Sequence, residues 1–353
     1  MQLRTFLTLL VTLFLPLWPV HSPATDTSKT ELVILNWADY IDPEVVADFE
    51  AKYQAKVRVV NFEDDDNRNQ LLLATNGDGY DLVLVNETHV GLYRAHGWLA
   101  KLSAAEVPNL KHLDPSWMDK ARDASGYALP YFWGTLGIAY RRDLVRAPPQ
   151  HWVDLFTPSA DLRGRIAMLS SQRELLGMAL KAGGHSVNSV EHSEIDAAMS
   201  LLLAQKSAVR AYQQALLNEK SELVTGEVSM RMMFNGDALL LRQFNNNIDY
   251  VVPPEGTGLW VDYLTVMASA PNPKLAYAFL DYLNEPAVAA RNAAFVNYAT
   301  PNQAAAKLMS PDYRGNPSIY PSANTLANSE MFAPLPPRAL SYRNSQFSHL
   351  LQN

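Results

Sequence analysis

The 353-residue chain contains no cysteine. That excludes disulfides, thiol catalysis, zinc–thiolate sites and lipid attachment through an N-terminal cysteine. A chain of this length buries enough surface to fold without disulfides. An excess of positive charge is also missing: 29 Lys and Arg against 36 Asp and Glu leave a net charge of −7. A general nucleic-acid binder needs a basic face to neutralise phosphates, so no nucleic-acid partner is expected. Catalytic signatures are absent. There is no G-x-S-x-G, H-E-x-x-H, Walker loop or G-x-G-x-x-G. The eight histidines are scattered without metal-ligand spacing. We expect no enzyme activity, no metal and no cofactor. Low-complexity runs and strict repeats are lacking as well.

Long apolar runs are scarce too. The one that stands out, Phe6 to about Val20, follows Arg4 and precedes His21-Ser-Pro-Ala24. This order reads as a signal peptide over residues 1–24, cleaved after Ala24. The alternative is an uncleaved anchor, but the run is short for a spanning helix, which needs ~20 apolar residues. The mature chain is therefore expected to be exported and soluble.

What is present alternates. Glu31-Leu-Val-Ile-Leu-Asn-Trp37 reads as a buried strand. Asp42-Pro43 starts a helix with Val45, Val46, Phe49 and Tyr53 on its apolar face. Strands follow at 56–60 and 80–85, with helices at 67–74 and 90–96. A β-α-β-α-β order implies a parallel sheet. The stretch 127–140 is β-rich. A second unit begins at Trp152–Phe156, with strands at 165–169, 229–234, 250–252 and 259–268. Helices are expected at 173–182, 195–203, 212–217, 273–283 and 286–295. Two α/β units, joined by strand-rich crossings near 135–140 and 257–262, suggest two lobes.

Several aromatic and acidic residues sit where strands end. Asn36-Trp-Ala-Asp-Tyr40 closes the first strand, Phe234-Asn-Gly-Asp237 is a strand-to-helix turn, and Trp260 and Asp262 share one strand face. Carboxyl ends of parallel strands line ligand crevices. Tryptophan faces attract cations and carboxylates form charge-assisted hydrogen bonds to them. Such a set matches an alkyl ammonium ligand. Bland readings also exist. Trp37 and Trp260 could be core, Asp39 a turn residue, and Asp237 a helix N-terminal acid. Glu174 could close a capping box with Ser171. Glu63-Asp-Asp-Asp66 lacks the spacing of a calcium loop and reads as a solvated loop.

At these residues the chain resembles the periplasmic spermidine/putrescine-binding proteins of bacterial ABC importers. The marks are Asn36-Trp37 with Tyr40, Tyr80-Asp-Leu-Val83, Pro130-Tyr-Phe-Trp-Gly134, Arg173-Glu174, Gly226-Glu-Val228, Phe234-Asn-Gly236, Trp260-Val-Asp262 and Tyr298-Ala-Thr-Pro-Asn302. The resemblance implies an α/β, two-lobed type II periplasmic binding protein fold with crossover hinges. Lobe 1 would comprise 29–136 plus 261–306, and lobe 2 would comprise 137–260 plus 307–353. It implies a periplasmic monomer holding a small cationic polyamine. The partner is a membrane permease or, alternatively, a membrane signalling protein. Trp37, Asp39, Tyr40, Glu174, Trp260, Asp262 and Tyr298 match family contacts, and Asp237 matches an acid of the putrescine-preferring branch. Asn86 and Thr88 stand where a serine and a tyrosine are usual. Phe234 replaces a tryptophan, Phe332 a glutamine and Ser171 an aspartate, while Glu87 adds an acid. These departures fall where ligand length is set, so spermidine, norspermidine, putrescine and other diamines stay open.

Overall fold

The computed structural model describes residues 30–120 and 125–352. The expected signal peptide lies outside them. Among the described residues, no helix is long and apolar enough to cross a membrane.

The described strands are β1 (Glu31–Asn36), β2 (Lys56–Asn61), β3 (Leu82–Asn86), β4 (Ala128–Arg141), β5 (Ile166–Met168), β6 (Val209–Tyr212), β7 (Met230–Phe234), β8 (Ile248–Val251), β9 (Gly258–Val266) and β10 (Glu330–Met331). They run in the order β2-β1-β3-β9-β4-β7-β5-β6, with β10 on β9 and β8 on β4. As the β-α-β alternation predicts, β1, β2 and β3 are parallel, and so are β5, β6 and β7. Between these two parallel sets stand β4 and β9, antiparallel to each other and to β7 and β3 respectively, while the short β10 runs parallel to β9. The first helix forms as read: Asp42 caps it by accepting from the Glu44 amide at 2.8 Å, and Pro43 begins it.

The element that joins the halves is β4, buried at all 14 positions. Residues Ala128–Thr135 pair with β9, and Leu136–Tyr140 pair with β7. One strand thus links β7 of the second parallel set to β9, which itself borders β3 of the first. Gly134 sits at the change of partner. A Cβ there would come within 2.4 Å of the Trp260 indole and 2.3 Å of Asn235 Oδ1. Only glycine lets the indole lie on the backbone at this point.

The core divides accordingly. One buried cluster draws on Leu32–Trp133 and Trp260–Ile319, and another on Leu136–Met232 and Phe332–Leu350. Phe234 packs against both.

Two expectations need correction. Residues 212–217 are not helical: β6 ends at Tyr212, and Leu216 and Leu217 are 59% and 40% exposed. Their spacing imitates a helix face, but no neighbour covers it. The expected solvated loop at 63–66 holds only in part: Glu63, Asp64 and Asp66 are exposed, but the helix begins at Asp65. Asp64 caps the helix Asp65–Thr75 by accepting from the Asn67 amide at 2.7 Å, and Asp65 lies in its first turn with its side chain 24% exposed.

Candidate functional site

The C-terminal ends of β1, β3 and β7 and the start of the helix Gln172–Ala182 meet the middle of β9 at the seam between the halves. In β9, Asp262 lies opposite Asn86 of β3 on one side and Phe132 of β4 on the other. It is buried, and burial pushes its carboxyl up to about 7. Asp65 adds to that rise, while Tyr40, Arg68 and Arg173 oppose it.

Aromatic rings surround this acid. Tyr40 meets Phe132 and Tyr298 edge-on, with centroids 5.5 and 5.8 Å apart. Tyr298 meets Trp260 edge-on at 4.8 Å, and Trp260 meets Phe234 at 5.9 Å. Edge-to-face pairs stabilise such a cluster beyond their buried area. Gly236 makes the approach possible, because a Cβ there would strike the Tyr298 ring at 2.4 Å. The Tyr298 hydroxyl donates to Asp237 Oδ1 at 2.8 Å. Burial raises the Asp237 carboxyl to about 6, against the pull of Tyr298 and Arg231. The indole nitrogen of Trp260 and the amide nitrogen of Asn235 are buried with no hydrogen-bond partner.

At the other end of the seam, Glu174 does not close the capping box offered by the sequence. Ser171 makes no side-chain cap bond. Glu174 Oε1 instead accepts from Arg173 Nε at 2.8 Å, and its Oε2 is buried without a partner. Arg173 Nη1 donates to Thr88 Oγ1 at 3.0 Å, and the guanidinium lies 5.3 Å over the Phe332 ring. Thr88 donates to Asn86 Oδ1 at 2.8 Å, and Asn86 Nδ2 donates to Asp65 Oδ2 at 2.5 Å. Asp65 also pairs with the fully buried Arg68 at 2.8 Å. Glu87 is buried too. Its Oε2 accepts from the Val261 amide at 3.1 Å, its Oε1 has no partner, and burial raises its carboxyl to about 8. His89 is pushed down to about 4, by burial first and then by Arg68.

The residues singled out in the sequence thus fall unevenly. Tyr40, Phe234, Asp237, Trp260, Asp262 and Tyr298 form one contiguous group. Asn86, Thr88, Glu174 and Phe332 form another, gathered by Arg173. Trp37 stands at the edge, half-buried on Phe62 at 4.2 Å. Asp39 is exposed, with φ at 53°, a conformation aspartate tolerates in turns. Asp65 and Arg68 escaped the sequence reading. Their signal was an acid in a first helical turn with an arginine three residues on. Among the described residues, no group of three or more His, Asp or Glu side chains is placed to hold a metal ion.

Known proteins resemble this chain in sequence and fold. The Escherichia coli (strain K12) spermidine/putrescine-binding periplasmic protein is 32% identical over 311 residues, which is 88% of each chain. A norspermidine sensor of Vibrio cholerae is 31% identical over 332 residues, 94% of this chain and 91% of that one. The solved spermidine/putrescine ABC transporter substrate-binding protein of Streptococcus pneumoniae superposes with a TM-score of 0.82 at 26% identity, covering 92% of this chain and 99% of the other. The expected α/β binding-protein fold is therefore the fold observed. The family model described as bacterial extracellular solute-binding protein matches residues 44–321, and with the relatives above it establishes that the chain belongs to that family.

Proposed function

We propose that this protein binds a protonated polyamine between its two halves, in the periplasm, as a non-catalytic receptor. The observation that carries this reading is the pairing of Asp262 and Asp237 with a cluster of aromatic rings. Both carboxylates have their charge destabilised by burial, and neither has an ion-pair partner within 4 Å among the described residues. Trp37, Trp260, Phe234 and Tyr298 flank the methylene chain. Asp262, Asp39, Glu174 and Asp237 neutralise ammonium groups. The names carried by the E. coli and Streptococcus relatives support a polyamine ligand. Titration calorimetry with putrescine, norspermidine and spermidine tests the reading. We expect saturable binding, and absence of binding to every amine would sink it.

Ligand capture then serves delivery to an ABC importer. A second reading, ligand report to a membrane signalling protein without transport, is favoured by the likeness to the norspermidine sensor. Uptake of labelled polyamine by cells with and without the gene separates the two: transport requires that uptake fall when the gene is deleted.

We further propose export by cleavage of residues 1–24, action as a monomer, and lobes close to 29–136 plus 261–306 and 137–260 plus 307–353. Met309 and Ile319 are buried in the first core, whereas Phe332 is buried in the second. We therefore place the final return to the second lobe after residue 319.

A further inference from the structure

Tyr40 sits on a loop, not on a strand or helix. The loop leaves β1 after Asn36 and enters the first helix at Pro43, with an exposed turn at Asp39 between. Tyr40 itself is buried. Burial raises the Asp262 carboxyl, and among the groups that oppose the rise the Tyr40 hydroxyl comes first, ahead of Arg68 and Arg173. A hydrogen bond from a hydroxyl to a carboxylate weakens steeply as its geometry is lost. Something must therefore fix the loop.

Two buried side chains from distant parts of the chain do so. The Tyr131 hydroxyl, on β4, donates to the Tyr40 carbonyl at 3.0 Å. Asn292, on the helix Pro286–Val296, donates from Nδ2 to the Tyr131 hydroxyl at 2.8 Å. Its Oδ1 accepts from the Asp42 amide at 2.9 Å. The backbone is thus gripped on either side of Ile41. The Tyr131 ring also meets the Tyr40 ring edge-on at 5.8 Å. Asn292 is 1% exposed and uses both its donor and its acceptor, so its amide has one sensible orientation. A satisfied buried network of this kind is rigid.

We propose that Asn292 and Tyr131 are positioning residues of the ligand site: they clamp Tyr40–Asp42 so that the Tyr40 hydroxyl meets Asp262 and readies that carboxylate for an ammonium. This rests on the polyamine reading above. Without the clamp, Tyr40 drifts from Asp262, the acid holds its proton more tightly, and an arriving ammonium must displace that proton.

Calorimetric titration between pH 6 and pH 9 tests this, using whichever of putrescine, norspermidine and spermidine binds the wild type most tightly. The proteins compared are the wild type, Tyr40→Phe, Asn292→Ala, Tyr131→Phe and Leu202→Ala. Leu202 is buried in the second core and serves as the control for lost stability. Tyr40→Phe removes the hydroxyl directly and moves the midpoint of the affinity–pH curve upward. Asn292→Ala and Tyr131→Phe move it the same way and weaken binding about tenfold at pH 7, the worth of a hydrogen bond to a charged group. Leu202→Ala lowers the melting temperature and leaves the midpoint in place. Asp65, Arg68, Arg173, Glu87 and Tyr298 also act on Asp262 or are acted on by it, and Glu87 titrates near 8. All five are common to every variant, so differences between curves report the clamp. If Asn292→Ala and Tyr131→Phe lower the melting temperature but keep the wild-type midpoint, or if Leu202→Ala moves it equally, the positioning role is overturned and the polyamine reading stands. Failure of the wild type to bind any of the three amines overturns that reading and this inference with it.

Discussion

The two ends of the seam treat buried charge in opposite ways. At one end, Asp65, Arg68, Arg173 and Glu174 neutralise one another at ion-pair distances. At the other, Asp262 and Asp237 are set among rings, where Asp237 has a tyrosine hydroxyl as its hydrogen-bond donor and Asp262 has Tyr40 close by. A buried carboxylate without a counter-ion loses hydration and gains little in return, so its proton is held more tightly. The first end is complete in its ion pairs, although Glu174 Oε2 and Glu87 Oε1 there are buried without a donor. The second is completed by a cation from outside. On the proposed polyamine reading, this difference favours the second end as the place of a ligand ammonium.

Breaking the incomplete end should have the largest effect. Asp262→Ala removes the carboxylate that a bound ammonium would face and leaves a desolvated cation unpaired. Losing one partner of a buried ion pair costs about 3–5 kcal/mol, which is more than about a hundredfold in Kd. Calorimetry reads this directly, and an affinity within a few-fold of wild type would refute the assignment. At the complete end, Phe332 is wedged between Gly177 and Gly258, where added Cβ atoms would stand 2.8 and 2.5 Å from its ring. Phe332→Ala should lower stability by about 3–5 kcal/mol through the cavity it leaves. Urea denaturation measures that loss. Gly236→Ala forces a methyl group onto Tyr298, a cost of about 1–3 kcal/mol from overpacking. It should weaken ligand binding as well, because the Tyr298–Asp237 contact is displaced.

The smallest effect is that of pH. Asp262 is raised to about 7 in the free protein. A bound cation favours the ionised form, so binding expels a proton wherever the free carboxyl holds one. Affinity should fall as pH drops through 7 and level off above about 8, losing about tenfold between pH 8 and pH 6 for this one group. Titrations in buffers of different ionisation enthalpy would show proton release at pH 6. The same shift has a second sign. Between the ordinary aspartate value of 3.8 and about 7 the folded state binds more protons than the unfolded one, so ligand-free stability declines as pH rises through that window. A ligand-free protein whose stability rises over that range would contradict the buried, unpaired state of Asp262.

The strands and helices near the site were legible because local chemistry and tertiary context agree there. Asp42-Pro43 caps its helix, and the apolar run of β1 is buried on both faces. Legibility failed where context decides. The segment 212–217 has leucines at helical spacing but no surface to cover them. Asp64-Asp-Asp66 looks like a solvated run, yet one of its members caps a helix and the next reaches the seam. The apparent capping box at Ser171 lost its acid to Arg173, because a neighbouring guanidinium offers a charged donor where the backbone offers a neutral one.

The sequence by itself determined the alternation of strands and helices, the absence of thiol chemistry, and the tryptophan–carboxylate pairs on β9 and after β1. These follow from residue type and from periods of two and 3.6, which are properties of a few adjacent residues. Only the tertiary structure decided which acids stand alone. That depends on whether a guanidinium from an element far off in the chain lies within a few ångströms. Arg173 reaches Thr88 across 85 residues, while Asp262 sits deep in β9 with no ion-pair partner within 4 Å among the described residues. The lone acid and the satisfied acid look alike in sequence, and only packing distinguishes them.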